Sequence, residues 1–253
     1  MSPPILVDRR EQAEQELARE IADLVRGRRR LVLGLATGDT PSGVYRELAR
    51  MRRDEALDSG RVVTFNLDEF LGLPPDHPRA FERWTEERVF EPLGIPRENR
   101  HVPGVDAAHA TVPERCAAYE LAIREAGGID LLLLGIGRNG HVAFNEPGSS
   151  REARTREVEL HPWTREDAAT AFGGLASVPE RAVTMGVATI LAAKRLRVLA
   201  FGARKASIVR RALEGPVGPE VPASFLRGHR DLRVWLDREA AAELGTGRRT
   251  VRS

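Results

Sequence analysis

The chain has 253 residues, 42% of them hydrophobic, and its 39 basic and 37 acidic side chains give a formal charge of +2 and a pI near 9.1. This length suits one large domain over residues 1–253, and no low-complexity stretch divides it. Near-balanced charge without a long block of one sign argues against nucleic acid as a partner, no run approaches the ~20 apolar residues of a membrane span, and Met1 to Arg30 lacks the apolar segment of a secretory signal, so a cytoplasmic protein is expected.

Ala13, Leu17, Ile21 and Leu24 recur at helical spacing between Arg9 and Arg29, which predicts an amphipathic surface helix. Leu31 to Ala36 is an apolar strand run, followed by the turn Thr37 to Pro41 and a helical pattern from Ser42 to Met51. Val62 to Asn66 reads as a short strand that ends at Asp68-Glu69. Ile129 to Leu134 reads as a buried strand running into Gly135-Ile136-Gly137-Arg138-Asn139-Gly140-His141. From Glu152 to Ser177 the periodicity is lost, and with Gly173-Gly174 as a hinge this stretch is expected to form a lid. Leu196 to Phe201 leads through Gly202 into a helix with Lys205, and Leu232 to Leu236 makes a last strand, expected before a C-terminal helix and a frayed basic tail from Gly245 to Ser253. Strands alternating with helices predict an α/β, three-layer Rossmann-like domain with a mostly parallel central sheet.

Four of these strands end in polar or glycine clusters, and in an open parallel sheet ligands bind beyond the carboxyl ends of the strands. Thr37-Gly38-Asp39-Thr40-Pro41 reads either as a phosphate cradle at a helix N-terminus or as a turn capped by Asp39 or Thr40 with Pro41 as first helical residue. Asp68 can remove a proton from a substrate carbon; the bland alternative for Asp68-Glu69 is a solvated loop pair. Gly135 and Gly137 let the backbone approach a ligand, His141 suits proton transfer near neutrality, and Glu146 is near enough in sequence to orient the imidazole. The alternative is an Asn-Gly turn carrying a chance histidine. Lys205, one of only two lysines beside Lys194, is either a phosphate contact or an ordinary surface side chain. Cys116 is the single cysteine, so no internal disulfide or cysteine metal cluster can form, and His77, His101, His109, His161 and His229 show no metal-ligand spacing.

Taken in order, TGDTP, TFNLDEF, GIGRNGHVAFNEP, FGARKA and PASFLRGH resemble the motif set of the glucosamine-6-phosphate deaminase family from about Leu31 to Ala240. NLDEF and GHVAFNEP are the most specific, because the related phosphogluconolactonases resemble DER and SLFP at those places. The resemblance implies a sugar phosphate as small-molecule partner and catalysis without metal or organic cofactor, and leaves homo-oligomerisation open. It implies that His141, held by Glu146, opens the sugar ring, and that Asp68 moves a proton from C2 to C1 before ammonia is lost to give fructose 6-phosphate. Three positions depart from the pattern. Asn139 stands where many members have an aspartate, Asp39 where the phosphate loop has glycine, and Thr170 where a phosphate-binding arginine aligns, with Arg165, Arg154 and Arg138 as replacement candidates. Arg156, Ser149 and Ser150 resemble parts of a regulatory site, but Val158 replaces its lysine.

Overall fold

The structure, a computed structural model, describes residues 3–74, 76–104, 111–245 and 250–251; His109 lies outside them. The chain runs β1 (Ile5–Val7), α1 (Arg10–Arg26), β2 (Leu31–Leu35), α2 (Asp39–Glu55), β3 (Val62–Asn66), β4 (Asp68–Phe70) and α3 (Phe81–Thr85). A π-helical turn, Glu86–Phe90, joins α3 to α4 (Glu91–Leu93). Next come β5 (Arg100–His101), α5 (Val112–Glu125), β6 (Leu131–Gly135), β7 (Arg156–Glu159), α6 (Pro162–Phe172), β8 (Arg181–Thr184), α7 (Val187–Leu191), β9 (Leu196–Ala200), α8 (Ala206–Glu214), β10 (Leu232–Asp237) and β11 (Thr250–Val251).

The central sheet has the order β11-β1-β10-β9-β6-β2-β3-β5, and every pairing in it is parallel. β2, β3 and β9 are buried at every position, as strands covered on both faces must be. From β1 to β5 the chain advances across the sheet in one direction; from β6 to β10 it advances in the other. Right-handed crossovers therefore place α1, α2 and the α3–α4 stretch on one face and α5, α7 and α8 on the opposite face. Packing agrees, since α2 touches α1, α4 and the π turn, whereas α7 and α8 both pack against the 3₁₀ stretch Pro222–Gly228. The direction reverses between β2 and β6, which are hydrogen-bonded neighbours.

A second sheet, β4-β8-β7, is antiparallel and pairs Asp68 with Thr184 and Arg156 with Thr184 on the other side. It rests on a small separate core of Phe70, Phe144, Leu160, Val178 and Ala182, against which Ala168, Ala169 and Phe172 of α6 also pack. Asp68 thus begins a new strand in a second sheet and is no loop residue. The 152–177 stretch is β7, α6 and a short 3₁₀ turn.

Two expectations are corrected at the carboxyl end. Residues 238–243 form successive turns in place of a helix: Asp237 Oδ1 accepts Ala240 N–H at 2.7 Å as a helix N-cap does, but the backbone bonds that follow mix four-residue and three-residue spacing, Ala241 N–H to Asp237 O, Ala242 N–H to Glu239 O and Leu244 N–H to Ala241 O. Within the expected tail, Thr250–Val251 pair with β1 as the edge strand. Among the described residues no helix is long and apolar enough to cross a membrane.

Arg197 on β9 is 1% exposed and lies deep among the packed elements. Its guanidinium donates to Glu20 of α1 at 2.6 Å and to Asp231, ahead of β10, at 2.8 Å, tying three elements together. Removing Glu20 leaves the buried guanidinium with Asp231 and without the acceptor that takes its Nε and Nη2 donors. Glu20→Ala is expected to lower unfolding stability by about 3 kcal/mol, measured by urea denaturation, with Glu20→Gln losing less because one acceptor remains.

Candidate active site

Where neighbouring strands send their crossovers to opposite faces, the loops beyond their carboxyl ends diverge and leave a crevice. Between β2 and β6 this crevice is a cavity of ≈ 230 Å³, lined by Thr37, Gly38, Thr40 and Pro41 after β2, by Asp68, by Gly135, Ile136, Gly137 and His141 after β6, and by Phe81 and Phe144. Asp68, His141, Thr37, Gly38, Thr40, Gly135 and Gly137 are thus brought to one space. Asn139 and Glu146 stand behind His141, and Lys205 stands behind Ile136. Asp39 instead lines a separate surface groove with Arg10 and Arg46.

Asp68 is 6% exposed, and among the described residues no hydrogen bond reaches its carboxylate. Burial, reinforced by the charge of Glu69, pushes it up to about 8. Glu69 is treated differently. Its carboxylate accepts the backbone N–H groups of Phe70 at 2.8 Å, Phe81 at 2.9 Å and Glu82 at 2.6 Å, which caps the amino end of α3. Burial raises Glu69 to about 7 against the pull of those donors, whereas Asp68 has its oxygens free for a ligand.

The loop after β6 folds back tightly. Asn145 N–H donates to Val142 O, and the Asn145 amide donates to Val142 O and Met185 O. That reversal brings Glu146, five residues on, beside His141, with Nδ1 3.2 Å from Glu146 Oε2. The imidazole lies so close over Gly137 that an added Cβ would come within 2.1 Å of Nε2, which is why glycine stands there. Asn139 donates to Glu146 Oε2 at 2.7 Å and accepts His141 N–H at 3.1 Å, so its amide positions the pair. Burial works to raise Glu146, but hydrogen bonds from His141, Thr164 and Asn139 together with the charge of His141 prevail and bring it to about 2. The unit is an ionised carboxylate holding one imidazole nitrogen and leaving the other to the cavity.

At the opposite wall the N-cap of α2 is Gly38, at φ 88, and neither Asp39 nor Thr40. Gly38 reaches this left-handed conformation without steric cost, so Asp39 and Thr40 become the first helical residues. No side chain caps the helix, and its first-turn N–H groups remain available to an anion. Lys205 Nζ donates to Ile136 O at 2.7 Å, and burial lowers its pKa.

Of the three arginines considered as replacements, Arg154 pairs with Glu120 at 3.2 Å and is largely exposed, while Arg165 bonds the carbonyls of Leu175 and Val178. Arg138 lies nearest the cavity, beside Gly137. It stacks 4.9 Å from the Trp163 ring, pairs with Glu166 and Asp167, and acts electrostatically on Lys205. Thr170 is exposed on α6. Arg156 bonds Asn145 and Ser149. The other described histidines make structural contacts: His229 bonds Ala193 O and accepts Asp231 N–H, His161 caps α6, and His101 and His77 stack on Phe65 and Phe172. Sequence reasoning missed Thr164, which donates to Glu146 at 2.6 Å, and the aromatic walls Phe81 and Phe144. Its only trace of α6 was the His161-Pro162 pair, a helix start signal.

A doubly wound α/β domain with a carboxylate and a carboxylate-held histidine at its switch point offers groups able to exchange protons beside a helix N-terminus open to an anion. The family of glucosamine-6-phosphate isomerases/6-phosphogluconolactonase matches residues 8–235, and the chain belongs to it. It is 41% identical over 232 residues to glucosamine-6-phosphate deaminase 1 of Bacillus subtilis (strain 168), covering 92% of this chain and 95% of that one. It is 44% identical over 229 residues to glucosamine-6-phosphate deaminase 2 of Giardia intestinalis, covering 90% and 86%. A monomeric glucosamine-6-phosphate deaminase superposes with a TM-score of 0.91 at 40% identity, over 95% of this chain and 99% of that one. The 6-phosphogluconolactonase of Trypanosoma brucei, at 23% identity and TM-score 0.75 over 96% and 99%, shares the fold.

Because Asp68 titrates near 8 when folded and near 3.8 when free, the folded chain holds more protons between these values, and stability falls as pH rises through that window. Asp68→Asn removes this penalty. Its unfolding free energy is expected to exceed that of the parent by a margin that widens by about 1.4 kcal/mol per pH unit from pH 4 to 8 and is constant above, measured by urea denaturation across pH.

Proposed function

We propose that this chain converts glucosamine 6-phosphate and water to fructose 6-phosphate and ammonia. The observation that carries the reading is the meeting, in one cavity, of an unpaired buried Asp68, an imidazole tethered through Nδ1, and an uncapped helix N-terminus. With Nδ1 held by Glu146, His141 Nε2 shuttles a proton between the anomeric hydroxyl and the ring oxygen and opens the pyranose. Asp68 then takes the proton from C2, leaving an enolamine, and returns it to C1, giving a ketimine. Water adds to C2 of the ketimine and ammonia leaves, which balances the reaction. An acid held near neutrality suits a group that must both remove and return one proton, and each such group contributes ~10²–10⁴ in rate.

The 6-phosphate sits at the amino end of α2, with Lys205 as its charged partner. Thr170 brings no charge, and Arg138 is the arginine best placed to supplement Lys205, released to the ligand from Glu166 and Asp167. Asp39, turned to the outer groove, does not intrude.

Ammonia and ketose phosphate are measured together from glucosamine 6-phosphate, galactosamine 6-phosphate and free glucosamine. Equal amounts of both products from glucosamine 6-phosphate are expected, with Asp68→Asn slower by about 10²–10⁴-fold. Lys205→Met and Arg138→Ala are expected to raise KM by about ten- to a hundredfold with kcat changed little, the mark of uniform binding. Turnover of another amino sugar alone would mean altered phosphate recognition, favoured by Thr170. Silence on all three would leave a sugar-phosphate-binding module.

A further inference from the structure

The Glu146 carboxylate has four donors, two on each oxygen. Oε2 takes the Asn139 amide at 2.7 Å and faces His141 Nδ1 at 3.2 Å. Oε1 takes the Thr164 hydroxyl at 2.6 Å and the His161 N–H at 3.3 Å. The first pair comes from the loop fixed to β6, and the second from the amino end of α6. Half of what holds this carboxylate therefore belongs to the helix expected to act as a lid.

Thr164 does more than fill a lone pair. Its Oγ1 is also 3.3 Å from His141 Nδ1, and the residue is buried. A hydroxyl has one proton, and the 2.6 Å contact to a carboxylate, which can only accept, claims it. Toward Nδ1 Thr164 can then only accept. Glu146 Oε2 also accepts, so both groups facing Nδ1 require that nitrogen to carry the proton. Nε2, against Gly137 at the cavity wall, is left with its lone pair.

The rest of α6 is seated by contacts that reach the same cavity. Phe172, in its last turn, packs 5.3 Å from Phe70, which in turn packs 5.3 Å from Phe144, a cavity wall. Arg138 clasps the outer side of the first turns through Trp163, Glu166 and Asp167. Gly173 and Gly174, both at positive φ, follow the helix directly.

We propose that Thr164 is a positioning residue that couples the seating of α6 to catalysis: with α6 docked, its hydroxyl aims the Glu146 carboxylate and fixes the proton of His141 on Nδ1, so that Nε2 becomes a base only in the docked state. This rests on the reading of His141 as the ring-opening group. A helix displaced from its seat takes two of the four donors with it, so the imidazole loses one of its two acceptors and the other, Glu146 Oε2, loses the bonds that aim its carboxylate from the α6 side.

The test compares the parent with Thr164→Val, which keeps the shape and removes the hydroxyl, and Thr164→Ser, which restores it. Imidazole ¹⁵N NMR of histidine-labelled protein, assigned with His141→Gln, reads the tautomer without requiring turnover. The parent and Thr164→Ser are expected to show the Nδ1–H form, and Thr164→Val a mixture. With glucosamine 6-phosphate, Thr164→Val is expected to lose about ten- to a hundredfold in kcat, the worth of one hydrogen bond to a charged group, with KM within a few-fold. A parent already in the Nε2–H form overturns the proposal even if Thr164→Val fails to fold. So does a folded Thr164→Val with parental tautomer and kcat. A parent with the Nδ1–H form and no turnover refutes the assigned reaction while leaving Thr164's role to the comparison of tautomers.

Discussion

The site depends on one geometric constraint, the right hand of every strand–helix–strand crossover. Strands added to one side of β2 put their helices on one face, and strands added beyond β6 put theirs on the other, so the loops after these two neighbours must part. α2 starts in that opening and points its amino end into it, and β6 runs straight to the glycine loop that holds His141. The crevice exists before any catalytic side chain is chosen. Asp68 comes from the next strand over because the chain leaves β3 at Asn66 and re-enters pairing at once as β4, against β8.

Three carboxylates sit within this small region, and each meets its desolvation differently. Among the described residues, Glu146 is surrounded by four donors and stays ionised, Glu69 is held by three N–H groups at the end of α3, and Asp68 is given no donor. The differences sort them by role. A carboxylate that orients a neighbour needs constant charge and fixed geometry, whereas one that moves a proton needs free oxygens and a pKa near the working pH. In the proposed reaction, Asp68 without a partner is an instability the fold tolerates for its chemistry, in keeping with the usual conflict between stability and activity.

Much of this was legible in the residues. Apolar runs ending in glycine or polar clusters gave the strands and the edge where they converge, and a histidine five residues before a glutamate sufficed to suggest their pairing. What escaped depended on partners remote in sequence. β4 is three residues long and is a strand only because β8 lies beside it. Asp39 and Thr40 have the right chemistry for a cap, yet Gly38 takes that place because the turn needs positive φ. After β10, an alanine-rich stretch with helical propensity forms turns even though Asp237 offers it an N-cap bond. Thr164 could not be foreseen, since its value lies wholly in where α6 docks, more than twenty residues from the histidine it faces.

The lactonases separate what the fold supplies from what the site supplies. At 19–24% identity they keep the architecture of this chain, so the crevice itself does not distinguish an enzyme that shifts a proton between carbons from one that does not. The side chains around His141 are set by short stretches. Asn145, wholly buried, uses its amide to close the reverse turn and its oxygen to accept from Arg156, and this knot fixes how far behind His141 the next side chain falls. Placing a glutamate there puts an anion against Nδ1; another residue at that point would leave the imidazole free to take either tautomer. The tether that holds His141 therefore follows from the FNEP turn and the docking of α6 upon it, both of which lie outside the parallel sheet that makes the crevice.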